Sequence, residues 1–198
     1  HVPLYTLETG TPLYETDVVA VSYGYELLAT NLLTLLHAGG IPIRGNDRSD
    51  GDPIVLLGGT GATNPLPLAP FVDAVFIGEA EGVVPRIIAE QRDLKHRGAG
   101  REERLAAMRR HEAVWYPGKA SATRRAVWAG FGDSSRLSST SDATADSFGV
   151  GFPVSSIPVV QDHGVVEIMR GCPQGCRFCH AGVYYRPYRM KMIERIVA

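Results

Sequence analysis

The chain has 198 residues, 44% of them hydrophobic, which suits one globular domain, or one domain and part of another. Its 20 basic and 21 acidic side chains nearly cancel, which argues against an overall field drawing it to nucleic acid or an anionic membrane. The apolar runs are strand-length rather than membrane-spanning, no secretory pattern is evident, and 3 cysteines cannot make an even set of disulfides, so the sequence reads as cytoplasmic.

Residues 17 to 95 alternate short β-rich runs with helical patterns, the signature of a parallel sheet with crossover helices. Asp17 to Ser22 reads as a buried strand, and Glu26 to His37 as a helix whose Leu28, Leu32, Leu35 and Leu36 share a face. Gly39-Gly40 supplies a stop. Ile41 to Ile43 is expected as a second strand and Ile54 to Leu57 as a third, ending in Gly58-Gly59. A short helix over Leu66 to Phe71, a fourth strand over Ala74 to Ile77 and a helix over Glu81 to Lys95 follow. These units, residues 1–98, predict a small flavodoxin-like doubly wound α/β domain, a class that binds ligands beyond the carboxyl ends of its strands.

Residues 99–152 read as a charged helix over Arg101 to Arg110, a hairpin from Ala113 to Tyr116 and Arg125 to Trp128, and a polar linker over Gly130 to Gly149. Residues 153–198 begin a second domain, in which Val165 to Met169 forms a strand entering a cysteine loop. His1 at the start, and a helical pattern at Met192, Ile193, Ile196 and Val197 near the end, lead us to expect a fragment of a longer protein.

All the cysteines lie in Cys172-Pro173-Gln174-Gly175-Cys176-Arg177-Phe178-Cys179, a C-x3-C-x2-C motif. Iron-sulfur clusters are held by thiolates, and three ligands leave one iron of a 4Fe-4S cluster open to a small molecule. A zinc site would need a fourth donor such as His180 or His163. Redox chemistry at Cys176 and Cys179 alone would leave Cys172 without a role.

The motif, with Phe178 before its last cysteine, resembles the radical SAM superfamily, in which such a loop follows the first strand of a partial (β/α) barrel. The resemblance implies that Cys172, Cys176 and Cys179 hold a 4Fe-4S cluster, and that Phe178 lies near the adenine of S-adenosylmethionine. It implies reductive cleavage of S-adenosylmethionine to a 5'-deoxyadenosyl radical, with a donor such as flavodoxin or ferredoxin supplying the electron. The substrate class, whether RNA, a peptide or a small molecule, is left open, as is methyl or methylthio transfer. Gly171 and Gly175 suit a loop that turns tightly around a cluster. A complete barrel needs roughly 200 residues or more, so the parent is expected to be the enzyme. This chain alone is expected to be inactive, with its cysteines mobile or metal-free.

The run Glu167 to Cys172, with Gly175 to Gly182 and Tyr185-Arg186-Pro187, is similar to an uncharacterised bacterial subfamily carrying a cobalamin-binding-like domain before the barrel. Upstream, Tyr25-Glu26, Thr30 to Leu33, Gly58-Gly59 with Asn64-Pro65, and Ile77 to Glu81 fit the same subfamily. By that resemblance Gly58, Gly59, Asn64, Gly78 and Glu79 line a cobalamin site. The D-x-H-x-x-G motif that supplies a cobalt ligand is absent. The alternative is a non-catalytic docking or ligand-sensing domain whose glycines shape tight loops. Tyr184, Tyr185 and Tyr188 with Arg186 and Arg189 either pack the first barrel helix or face RNA.

Overall fold

The structure is a computed structural model that describes residues 3–131, 166–193 and 196. It divides into two compact units, residues 1–127 and 128–198. Among the described residues, no helix is long and apolar enough to cross a membrane.

The first unit is built on a four-stranded sheet in the order β1 (Val18–Ser22), β2 (Ile54–Gly58), β3 (Ala74–Phe76), β4 (Val114–Trp115). The first three strands are parallel, and β4 joins β3 antiparallel through Val75 with Trp115 and Phe76 with Val114. Period-two alternation divides the core. Val55, Leu57 and Val75 face one side with Leu32 and Leu36 of α1 (Ala29–Ala38). Ile54, Leu56, Ala74 and Phe76 face the other, with Ile87 of α2 (Val84–His96) and Leu105 and Met108 of α3 (Arg101–Arg109). Helices on both faces explain why β2 is apolar at consecutive positions.

Local signals set the helix ends. A 3-10 turn over Glu26–Leu28 precedes α1, whose end is closed by Gly40 at φ 70°, with Ile41 N–H donating to Leu36 O at 2.9 Å. Pro85 stands in the first turn of α2, where its missing N–H costs nothing, so the helix starts later than Glu81. Leu66–Leu68 is a 3-10 turn rather than a longer helix.

Two expectations are overturned. Ile41 to Ile43 forms no strand. Arg48 takes its carbonyls instead, donating from Nε to Pro42 O at 3.0 Å and from Nη2 to Ile43 O at 3.2 Å and Phe71 O at 2.7 Å. The segment is thereby held beside the amino end of β3, and β1 becomes the edge of the described sheet. The hairpin of Ala113 to Tyr116 with Arg125 to Trp128 does not form either. Both pieces pair with β3 or its extension, because the strand's edge past Phe76 still offers unpaired backbone groups. Ala126 bridges Gly78 in parallel, donating to Ile77 O at 2.9 Å and accepting from Glu79 N–H at 3.0 Å.

Helix α3 is less solvent-facing than its charges suggest. Arg101 and Arg104 are buried together with Leu105, Ala107 and Met108. Arg101 Nη1 donates to Asp52 O at 2.9 Å and Pro53 O at 3.0 Å, and Arg104 Nη2 to Asp17 O at 3.0 Å. Helix α3 and β4, which follow residue 98, thus pack into the first unit.

In the second unit, a two-stranded antiparallel ladder pairs β5 (Met169–Arg170) with β6 (Arg189–Met190), and one helical turn, α4 (Ala181–Tyr184), lies between them. The expected strand over Val165 to Met169 is reduced to its last residue and Arg170, residue 165 lying outside the described set. The linker expectation, apart from residues 130 and 131, and His163 also fall outside it.

Candidate functional site

In the first unit, the carboxyl ends of the strands are filled by the chain's own backbone. Gly59 has φ 105°, and a Cβ there would stand 2.6 Å from Tyr23 O. Tyr23 N–H donates to Gly58 O at 2.6 Å, and Gly61 N–H to Tyr23 O at 3.0 Å. The Tyr23 ring is buried with its hydroxyl donating to Glu26 O at 3.0 Å; burial first, then the Glu26 charge, raises its phenol above the ordinary value. Gly58 is far less constrained, since its Cβ would meet Phe76 O at an ordinary 3.8 Å. Asn64 is exposed.

The next strand end is closed in the same way. Gly78 has φ 123°, and a Cβ there would lie 2.3 Å from Ala126 O. Glu79 is paired with Arg125 at 3.1 Å, with side-chain exposures of 9% and 18%. Gly59 and Gly78 therefore have a requirement internal to the fold, because each accommodates a neighbouring backbone that a side chain would displace. A cavity of about 730 Å³ lies instead near the amino ends of β2 and β3, lined by Arg44, Arg48, Asp73, Arg101 and Arg109 among others.

The cysteine loop runs from β5 to α4. Gly171 has φ 86°, and a Cβ would stand 2.6 Å from Tyr185 O, so the tight turn expected there is present. Gly175 has open space around it and no positive φ, so the same reasoning does not apply to it. Cys179 N–H donates to Cys176 O at 3.1 Å, closing a turn that leads into α4. A Cβ on Gly182 would stand 3.2 Å from Gln174 O, and Arg186 Nε donates to Gly182 O at 2.7 Å, which ties the helical turn to the segment just after it.

Cys176 is exposed, Cys172 and Cys179 are half-buried, and none is in a disulfide. Phe178 is 93% exposed. Three thiols at this spacing fit a cluster by donor type. Their side chains are not gathered, for among the described residues no group of three or more His, Cys, Asp or Glu is placed to hold a metal ion.

Basic residues on both sides of the loop make contacts within the second unit. Arg170, Arg189 and Lys191 surround the buried Phe131 ring at 4.5, 5.4 and 5.6 Å from its centroid. Arg189 Nη1 also donates to Trp128 O at 2.9 Å, and Arg170 forks onto Glu167 at 2.8 and 2.9 Å. His180 meets Tyr184 edge-on at 5.3 Å, and Tyr184 meets Tyr185 at 4.9 Å. Tyr23, Arg125 and Phe131 were not marked out by the sequence reading. Arg125 lies 46 residues from Glu79, and no local pattern pairs residues across that distance.

A mixed α/β domain over a mostly parallel sheet, followed by a three-cysteine loop, is the class of protein these residues define. Residues 1–117 match the family described as radical SAM proteins, N-terminal, and the chain belongs to that family. No curated protein and no solved structure matches it.

Proposed function

We propose that the protein this chain represents is a radical SAM enzyme whose 4Fe-4S cluster is held by Cys172, Cys176 and Cys179. The family match over residues 1–117 supports this, joined to a cysteine motif outside the matched segment that has the ligand type and number such a cluster needs. When bound, the cluster supplies one electron, taken from a flavodoxin- or ferredoxin-like donor, for reductive cleavage of S-adenosylmethionine to a 5'-deoxyadenosyl radical. The chain's own share is positional. Gly171 admits the backbone of residues 185–188, the 176–179 turn sets two thiols close in sequence on one loop, and Phe178 stands free to cover an adenine ring. The substrate is RNA, a peptide or a small molecule, and methyl or methylthio transfer is within the reading.

Anaerobic reconstitution with iron and sulfide tests it. The expected result for the full-length protein is about four iron and four sulfide per polypeptide, lost in the Cys172→Ser, Cys176→Ser, Cys179→Ser triple variant, and 5'-deoxyadenosine once it is reduced. One zinc per chain in place of iron sinks the reading.

For the first unit we favour a docking role over cobalamin carriage. The observation behind this is that Tyr23 and Ala126 occupy the strand ends where Gly59 and Gly78 would otherwise meet a ligand. Titration with hydroxocobalamin separates the two, since a docking domain leaves its visible spectrum unchanged.

A further inference from the structure

We propose that the cavity near the amino ends of β2 and β3 binds a phosphate group, free or carried on a small molecule, among Arg44, Arg101 and Arg109. Its volume of about 730 Å³ suits a small-molecule site. It lies away from the strand ends that Tyr23 and Ala126 close, and it shares no residue with the cysteine loop. Arg44, Arg48, Arg101 and Arg109 line it. The acids in the same wall are Asp50, Asp73 and Glu102, so the lining keeps one positive charge in excess.

That excess is built into the buried part of the wall. Asp73 alone serves two guanidiniums, Arg48 at 2.9 Å and Arg101 at 2.6 Å, and those arginines are only 8% and 7% exposed. Two buried cations on one carboxylate leave a charge that water does not reach well, and an anion in the cavity would offset it. Asp50 is turned to the backbone, accepting from Arg101 N–H at 2.9 Å. Glu102 is engaged by Arg109, whose Nη1 lies 2.9 Å from Glu102 Oε1. That contact spans seven residues, so Arg109 folds back along α3 toward the end that carries Arg101. Arg109 Nε is buried without an acceptor, and Arg101 Nη2 makes no hydrogen bond. The Arg44 side chain is exposed and has no hydrogen bond or ion pair among the described residues.

Phosphate fits this arrangement better than a carboxylate does. The arginines come from the 44–48 loop and from both ends of α3, so their donors approach from several sides. A tetrahedral phosphate offers acceptors in several directions, whereas a carboxylate offers one planar edge, the edge Asp73 already supplies to this wall. Leu105 and Pro117 complete the lining, where the carbon part of a phosphorylated molecule would rest.

Isothermal titration of the 198-residue chain with inorganic phosphate, ribose 5-phosphate, ribose and acetate, at one ionic strength, tests the proposal. The two phosphates are expected to bind with a Kd of about 1 mM or below, acetate about tenfold more weakly, and ribose not at all. Ribose 5-phosphate binding more tightly than inorganic phosphate assigns the site to a phosphorylated small molecule; equal or weaker binding assigns it to the free ion. Arg44→Gln, a change at an exposed side chain, weakens both by about tenfold. Asp50→Asn keeps an acceptor for Arg101 N–H but removes a negative charge, and tightens both by about threefold. Arg92→Gln, outside the cavity, leaves both unchanged. The proposal is overturned if neither phosphate binds at about 10 mM, if acetate binds as well as phosphate, or if Arg44→Gln binds like wild type. Failure of Asp50→Asn to tighten binding, or an equal loss in Arg92→Gln, overturns it as well.

Discussion

Arg48 Nη1 and Asp73 Oδ2 meet at 2.9 Å in a pair whose arginine side chain has no solvent exposure. Burial is the larger influence on the guanidinium and pulls its pKa below the ordinary value, while Asp73 opposes that effect. The carboxylate is shared, for Asp73 also accepts from Val55 N–H at 2.7 Å and lies 2.6 Å from Arg101 Nη2 as an ion pair off the hydrogen-bond line.

Asp73→Ala leaves two buried guanidiniums without their counter-charge. The expected loss is about 3–5 kcal/mol of stability, measured by urea unfolding of the whole chain. Lys95→Ala, which breaks an exposed pair with Asp17, is the control and costs about 1 kcal/mol or less.

Glu90 predicts an acid limb. Its carboxyl is held below the ordinary 4.5, first by the hydrogen bond with His111, with burial opposing and Arg110 adding to the effect. Both contacts are 3.0 Å. A carboxyl whose pKa falls on folding stabilises the fold above its unfolded value and loses that contribution as pH drops through the folded one. Thermal unfolding followed from pH 7 to about 3 should therefore show a steeper fall for wild type than for Glu90→Gln. Equal slopes would show that the pair contributes nothing.

Gly78→Ala tests the strap formed by Arg125 and Ala126. A Cβ at 2.3 Å from Ala126 O cannot be accommodated without moving backbone, and φ 123° adds strain of about 1–3 kcal/mol. Trypsin should cut the variant faster at Arg124 and Arg125, while the helix signal in circular dichroism persists. Gly98→Ala, at a positive φ of 77° with no neighbour within 4 Å, shows what a left-handed backbone costs without a clash.

In the second unit, Phe131→Leu removes a ring that three cations share. Each such contact contributes about 0.5–1 kcal/mol. Backbone amides of Arg170 and Lys191 should exchange with deuterium faster in the variant, because Lys191 N–H bonds to Ile168 O at 2.9 Å across the same ladder. Unchanged exchange would show that the ring plays no part in holding β5 against β6.

The strands and helices of the first unit were legible because their apolar spacing reports a core built from both faces of one sheet. Val18 to Ser22, Ile54 to Leu57 and Ala74 to Phe76 stand where the periodicity places them. Ile41 to Ile43 forms no strand because β-propensity measures a segment's fitness for a sheet, not whether an arginine a few residues on takes its carbonyls first. The hairpin at Ala113 and Arg125 failed for a related reason, as two short β-like pieces found a better edge on β3 than on each other. At the candidate site, cysteine spacing was readable in sequence, whereas the meaning of Gly59 and Gly78 was not. A glycine signals close approach without saying whether a ligand or the chain itself approaches.

One guanidinium sets the width of the described sheet. Arg48 acts as a surrogate strand, engaging carbonyls of Pro42 and Ile43 that a ladder would otherwise use. A boundary drawn by a side chain can be redrawn by a single substitution. Related chains that differ at this one position need not have the same number of strands, even where every apolar run is kept.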